Sequence, residues 1–74
     1  MAIFAVVARP GYFGDNQSPV FSRHRALAAA EAACKKHEYY DATGAKKSPA
    51  CIVRLERRRK FLWGDELARM EILG

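Results

Sequence analysis

Between residues 54 and 60 the chain carries Arg54, Arg57, Arg58, Arg59 and Lys60 against the single acid Glu56, a net charge of +4 over seven residues. Guanidinium groups grip phosphate oxygens bidentately, so this run predicts salt-dependent affinity for a nucleic-acid backbone. Phe61 and Trp63 follow directly and would add base stacking where they are exposed. Lys35, Lys36, Lys46 and Lys47 would extend the same surface. The run also reads as a solvated turn that keeps edge strands from pairing, or as a docking site for an acidic protein patch.

Other chemistry is thinner. Gly44-Ala-Lys-Lys-Ser48 lacks the earlier glycine and the preceding strand of a phosphate-binding loop. Cys34 and His37 share a helix face at i, i+3 and could join His24 and Cys51 around zinc, but no paired ligand clusters are present. Buried thiols beside a hydrogen-bonded imidazole are the expectation, with no metal and no cofactor. Asp65, Glu66 and Glu71 fall in a segment that reads as exposed, and no serine or histidine has an elbow or triad context. A chain of 74 residues also leaves little room for a reaction pocket. The expectation is a protein that is not an enzyme.

The composition bounds the rest. Thirteen Lys and Arg against eight Asp and Glu give +5 and a pI near 9.6, which favours anionic partners. Half of the residues are apolar and no tract is of low complexity, so residues 1–74 read as one folded domain. Two cysteines are too few for a disulfide framework, although a Cys34 to Cys51 bridge is open in an oxidising compartment. The apolar run Ala2 to Ala8 lacks a charged leader and falls far short of the roughly 20 residues that span a bilayer. A cytoplasmic protein without membrane contact is expected.

The elements that must hold the basic run follow from periodicity. From Ser22 to about Tyr40 the pattern is helical: Ala26, Leu27, Ala30, Ala33, Cys34 and His37 fall on one face, and Arg25, Glu31, Lys35, Lys36 and Glu38 on the other. Ser22 is the expected cap, with Phe21 as a staple against Ala26. The apolar face is mostly alanine, so the helix can lie close to a sheet, which must supply most of its stability.

Residues 2–9 read as a strand with two apolar faces, Ile3, Ala5 and Val7 on one and Phe4, Val6 and Ala8 on the other. One helix covers one face. Either the strand is sandwiched within the domain, or Phe4 and Val6 meet a partner or a second copy in a homodimer, the option favoured here. Residues 10–21 read as a long turn-rich connection with Tyr12 and Phe13 at its tip, either capping the core or making contacts. Residues 41–49 form a second loop, with Gly44 as a left-handed stop. In the next strand, Ala50 to Glu56, Cys51, Val53 and Leu55 point inward and Arg54 and Glu56 outward. Phe61 and Trp63 mark a third strand, Gly64-Asp65 a turn, and 66–73 is read as a fourth strand, with helix as the alternative. The sum is an α+β, two-layer domain, one amphipathic helix on a small antiparallel sheet in the order β-α-β-β-β.

That order, carried by Ile3 to Val7, Phe21-Ser22 through Cys34, Ile52-Val53-Arg54-Leu55 and Phe61-Leu62-Trp63, resembles small phage or mobile-element proteins such as some type I anti-CRISPR inhibitors. The resemblance covers the whole chain as an order of elements, without a shared motif, and no site residue is carried over. It implies a stoichiometric inhibitor that docks on a CRISPR effector complex and blocks capture of target DNA. The positive charge departs from the acidic, DNA-mimicking members. Three functions are therefore expected in turn: a non-catalytic protein binding a protein or nucleoprotein complex through its basic, aromatic face; a direct DNA- or RNA-binding module; and an assembly subunit that oligomerises through strand one.

Overall fold

The computed structural model describes residues 2–10 and 16–74. Tyr12 and Phe13 lie outside the described residues. Strand β1 (Ile3–Ala8) is the centre of a curled antiparallel sheet in the order β5-β1-β2-β6, with β2 at Gln17–His24, β5 at Ala50–Leu55 and β6 at Phe61–Trp63. A separate two-stranded hairpin joins β3 (Tyr39–Tyr40) to β4 (Lys46–Lys47). Helix α1 (Leu27–Lys35) and the short α2 (Gly64–Ala68) complete the chain. The class is α+β, with α1 packed on the sheet as its alanine-rich face requires.

The alternation in β1 sorts the core into two clusters. Ala5 and Val7 join Cys51, Val53 and Leu55 of β5 under Leu62 of β6 and Leu67 of α2, with Ile3, Val20 and Met70 packed alongside. On the opposite face Val6 meets Ala30 and Cys34 of α1 with Ala50 and Ile52, flanked by Phe4, Leu27, Ala33 and Leu73. The sheet thus curls so that β6 and α2 cover the face that α1 leaves open. Of the two options open for β1, the structure takes the sandwich: Ala5 through Ala8 are fully buried within one chain. Val6 is therefore not a surface for a partner, and Phe4 is only half-exposed. Both apolar faces have partners at home.

The helix ends at Lys35 rather than near Tyr40, because Tyr39–Tyr40 pair with Lys46–Lys47 across the expected 41–49 loop, and two further stretches differ from expectation. The connection at 10–21 contains the first half of β2, and Ser22 lies within that strand rather than capping a helix. Its polar residues and Pro19 look like a turn, yet pairing with β1 along one edge and β6 along the other holds them extended. Helix α1 starts five residues later, at Leu27, where Ala26 caps without a side-chain bond. Ser22 Oγ instead lies 2.8 Å from the His24 ring. The register with β1 shifts between Val6 and Val7, so that Phe21 is an extra, bulged residue. It stacks on His37 at 4.6 Å beyond the helix. The bulge also turns Val20 into the cluster beneath β6.

The tail is the second difference, because residues 64–68 are helical where a turn and strand were favoured. After Met70 the chain passes around β5, and the Leu73 N–H donates to the Ile52 carbonyl at 2.8 Å while the Ile52 N–H donates to Gly74 at 3.2 Å. The backbone thereby gains two bonds without a regular strand. Gly44 has φ of +84° at the tip of the β3–β4 hairpin, the left-handed conformation expected of it.

Candidate anion-binding end of the sheet

Register places the basic residues. Ala8 pairs with Ala50 at one end of β1–β5 and Ile3 with Leu55 at the other. The β3–β4 hairpin leads into Ala50, whereas the arginine run follows Leu55, so the two lie past opposite ends of a strand about 17 Å long. Lys46 and Lys47 therefore do not extend the arginine surface. They are also engaged locally, Lys46 with Glu38 at 2.8 Å and Lys47 with Asp41 at 3.8 Å.

The arginine run divides further by what each member touches. Arg59 grips Glu66 of α2 with both terminal nitrogens, at 2.6 and 3.3 Å, and Glu66 also accepts the Trp63 N–H at 2.9 Å. The Arg59 guanidinium, followed by that backbone bond, holds the Glu66 carboxyl below its ordinary range. Arg59 thus fastens the 56–60 loop to the start of α2. Arg54 stands 4.0 Å from Glu56, both largely exposed, which is a weak pairing. Arg57, Arg58 and Lys60 have no ion pair among the described residues and reach into solvent.

β2, standing where a helix start is expected, brings further basic residues to this end. β2 runs antiparallel to β1 and ends at His24, opposite Phe4, so Arg23, His24 and Arg25 arrive at the Leu55 end of the sheet. The Arg23 side chain donates to the Arg59 carbonyl and ties the loop against β2. An open depression of about 230 Å³ lies between them, lined by Ile3, Arg23, His24, Arg25 and Arg58. Arg23-His24-Arg25 is a cluster of basic residues in the sequence, but helical periodicity puts Arg25 on an outward helix face.

A second depression, of about 420 Å³, lies at the same end on the α1 side, where Phe4, Leu27, Met70 and Leu73 form apolar walls between Arg54 and Glu71. Trp63 is 44% exposed but sits at the far end of β6, paired with Gln17 and edge-on to Phe61 at 5.0 Å. Since Gln17 begins β2 and His24 ends it, Trp63 is separated from the Arg23–Arg25 corner by the length of that strand.

The residues weighed as metal ligands do not converge. Cys34 and Cys51 belong to opposite faces of the sheet, both as free thiols, and His37 is stacked on Phe21. Burial pushes both thiols up, away from the reactive thiolate. Among the described residues no three His, Cys, Asp or Glu side chains gather where a metal could sit. No described helix is long and apolar enough to cross a membrane. Compared with known proteins, the chain matches no family model, no curated protein and no solved structure.

Proposed function

We propose that the chain is a non-catalytic binding protein whose arginine-rich end engages a nucleoprotein complex at its nucleic-acid component. It would act in the manner of a phage-encoded, anti-CRISPR-type inhibitor that blocks capture of a nucleic-acid target. The observation that carries this reading is the gathering of Arg23, Arg25, Arg54, Arg57 and Arg58 where β2 and β5 end, offset among the described residues by the weak Arg54–Glu56 pair and by Glu71 on the Arg54 side. Such a concentration of guanidinium groups raises the local potential and attracts a polyanion over distances set by ionic strength.

The acids and thiols support the non-catalytic part of this reading. Glu66, Glu38, Asp41 and Asp65 are each engaged by a basic neighbour. The thiols are buried, and the larger depression offers a single acid, Glu71, among apolar walls. Acids engaged by bases and thiols shielded from water support a binding role over acid–base or nucleophilic chemistry.

The same basic end would also serve a module that binds free DNA or RNA. Affinity capture from host lysate with and without nuclease separates the two. A defined protein assembly retained after nuclease supports the inhibitor, and recovery that vanishes with nuclease supports direct binding. Silencing of the captured assembly at substoichiometric amounts would overturn the non-catalytic reading.

A further inference from the structure

We infer that the depression between β2 and the 56–60 loop is an oxyanion seat that takes one phosphate group, clamped by Arg25 and Arg58. The inference rests on the reading of this end as a nucleic-acid contact, which makes the phosphate one of a polynucleotide backbone. Three features of the depression support it.

Its lining is basic throughout apart from one wall. Arg23, Arg25 and Arg58 surround the opening with His24, Ile3 forms the apolar part, and no carboxylate contributes among the described residues. Neither Arg25 nor Arg58 forms an ion pair or hydrogen bond among the described residues, so both forks are available to a ligand. Planar guanidiniums suit this role because each can present two parallel N–H donors to two oxygens of one group.

The site is also held in place by the fold. Arg23 is occupied by the Arg59 carbonyl, and Arg59 in turn by Glu66, so the loop that carries Arg58 is fastened at two points. Arg23 is accordingly a positioning residue. The chain from Glu66 through Arg59 to Arg23 holds the loop backbone that carries Arg58 against the strand end that leads to Arg25 without using either of their side chains, and a site whose backbone is set beforehand loses less entropy on binding.

The size of the depression is compatible with that ligand. At about 230 Å³ the depression is smaller than the roughly 300–1,000 Å³ of small-molecule pockets, which suits a single oxyanion group rather than a whole nucleotide. The Ile3 wall would lie against the sugar attached to that phosphate.

The test titrates inorganic phosphate and, separately, a single-stranded deoxythymidine 12-mer into the 15N-labelled full chain. Arginine Nε–Hε resonances are followed, with 12-mer affinity measured by anisotropy against salt. Arg25→Gln and Arg58→Gln should each weaken the 12-mer about tenfold and lower the salt slope by about 1, whereas Arg57→Gln, on the same loop but outside the depression, should cost less than about threefold. Arg58→Lys keeps the charge without the fork and should recover only part of the loss, which guards against a folding defect in the glutamine variants. Equal losses for Arg57→Gln and Arg58→Gln would mean diffuse attraction: the seat is overturned and the nucleic-acid reading stands. Failure of the 12-mer to bind, with phosphate still moving the Arg25 and Arg58 resonances, keeps the seat and overturns its assignment to a free single-stranded DNA backbone. No response to either ligand overturns both.

Discussion

The Arg59 guanidinium and the Glu66 carboxylate meet across seven residues of sequence, and their contact joins the basic loop to α2. Arg59 looks in sequence like one more member of a nucleic-acid-binding run. Its position makes it the anchor of that run. Arg59→Ala should therefore release the loop as well as remove a charge, and the change should appear as faster amide exchange at residues 57–60, whereas Arg57→Ala should leave exchange there unaltered. Equal exchange in the two variants would refute the anchoring role.

The same pair has a pH signature. Arg59 lowers the Glu66 pKa in the folded chain, so Glu66 binds its proton less readily folded than unfolded. Its contribution is complete above the ordinary glutamate pKa and is lost as pH falls through the lowered folded value. Thermal melts of the wild type and Glu66→Gln between pH 7 and pH 3 should converge as the pH drops. A constant gap would show that the carboxylate does not act through its charge.

Leu62 is fully buried in β6 beneath the sheet. Leu62→Ala should cost about 2–5 kcal/mol, a large share of the roughly 5–15 kcal/mol available to a typical domain. Urea melts should show an earlier midpoint. An unchanged midpoint would mean that β6 and α2 do not cover the core as described.

Burial and raised pKa together predict inert thiols. Cys34 and Cys51 should stay unlabelled by a disulfide-exchange reagent in native buffer and react fully in denaturant. Their placement on opposite faces of the sheet should also leave mobility unchanged between reducing and oxidising gels. Rapid native labelling of Cys51 would contradict its place in the core.

Gly44→Ala should cost roughly 1–2 kcal/mol, because a Cβ at φ +84° is strained although the space around it is open. Gly44→Asn should cost less, since asparagine tolerates the left-handed region. Chemical denaturation of the two variants measures the difference directly.

Much of this architecture is legible from side-chain periodicity. β1, β5 and β6 are apolar or alternate cleanly, the inward face of α1 repeats every three to four residues, and Gly44 stands between turn formers. β2 was hidden because Ser18, Pro19, Ser22, Arg23 and His24 carry little strand propensity. It exists because two neighbouring strands claim its backbone. The candidate site suffered for the same reason. Arg54, Arg57 and Arg58 were visible as a run, but Arg23 and Arg25 reach them only through the pairing of β2 with β1, a long-range contact that local periodicity does not encode. The opposite error befell Lys46, Lys47 and Trp63, grouped with the arginines by charge or sequence neighbourhood and separated from them by the length of a strand.

The Leu73 and Gly74 bonds to Ile52 bear on how other molecules can engage this one. A visiting peptide that sought to extend the sheet along β5 would first have to peel the tail away, uncovering Ile52 and the Leu73 contact. Recognition along that side is thereby steered from backbone templating toward side chains, and fibril-like growth from β5 meets a built-in stopper.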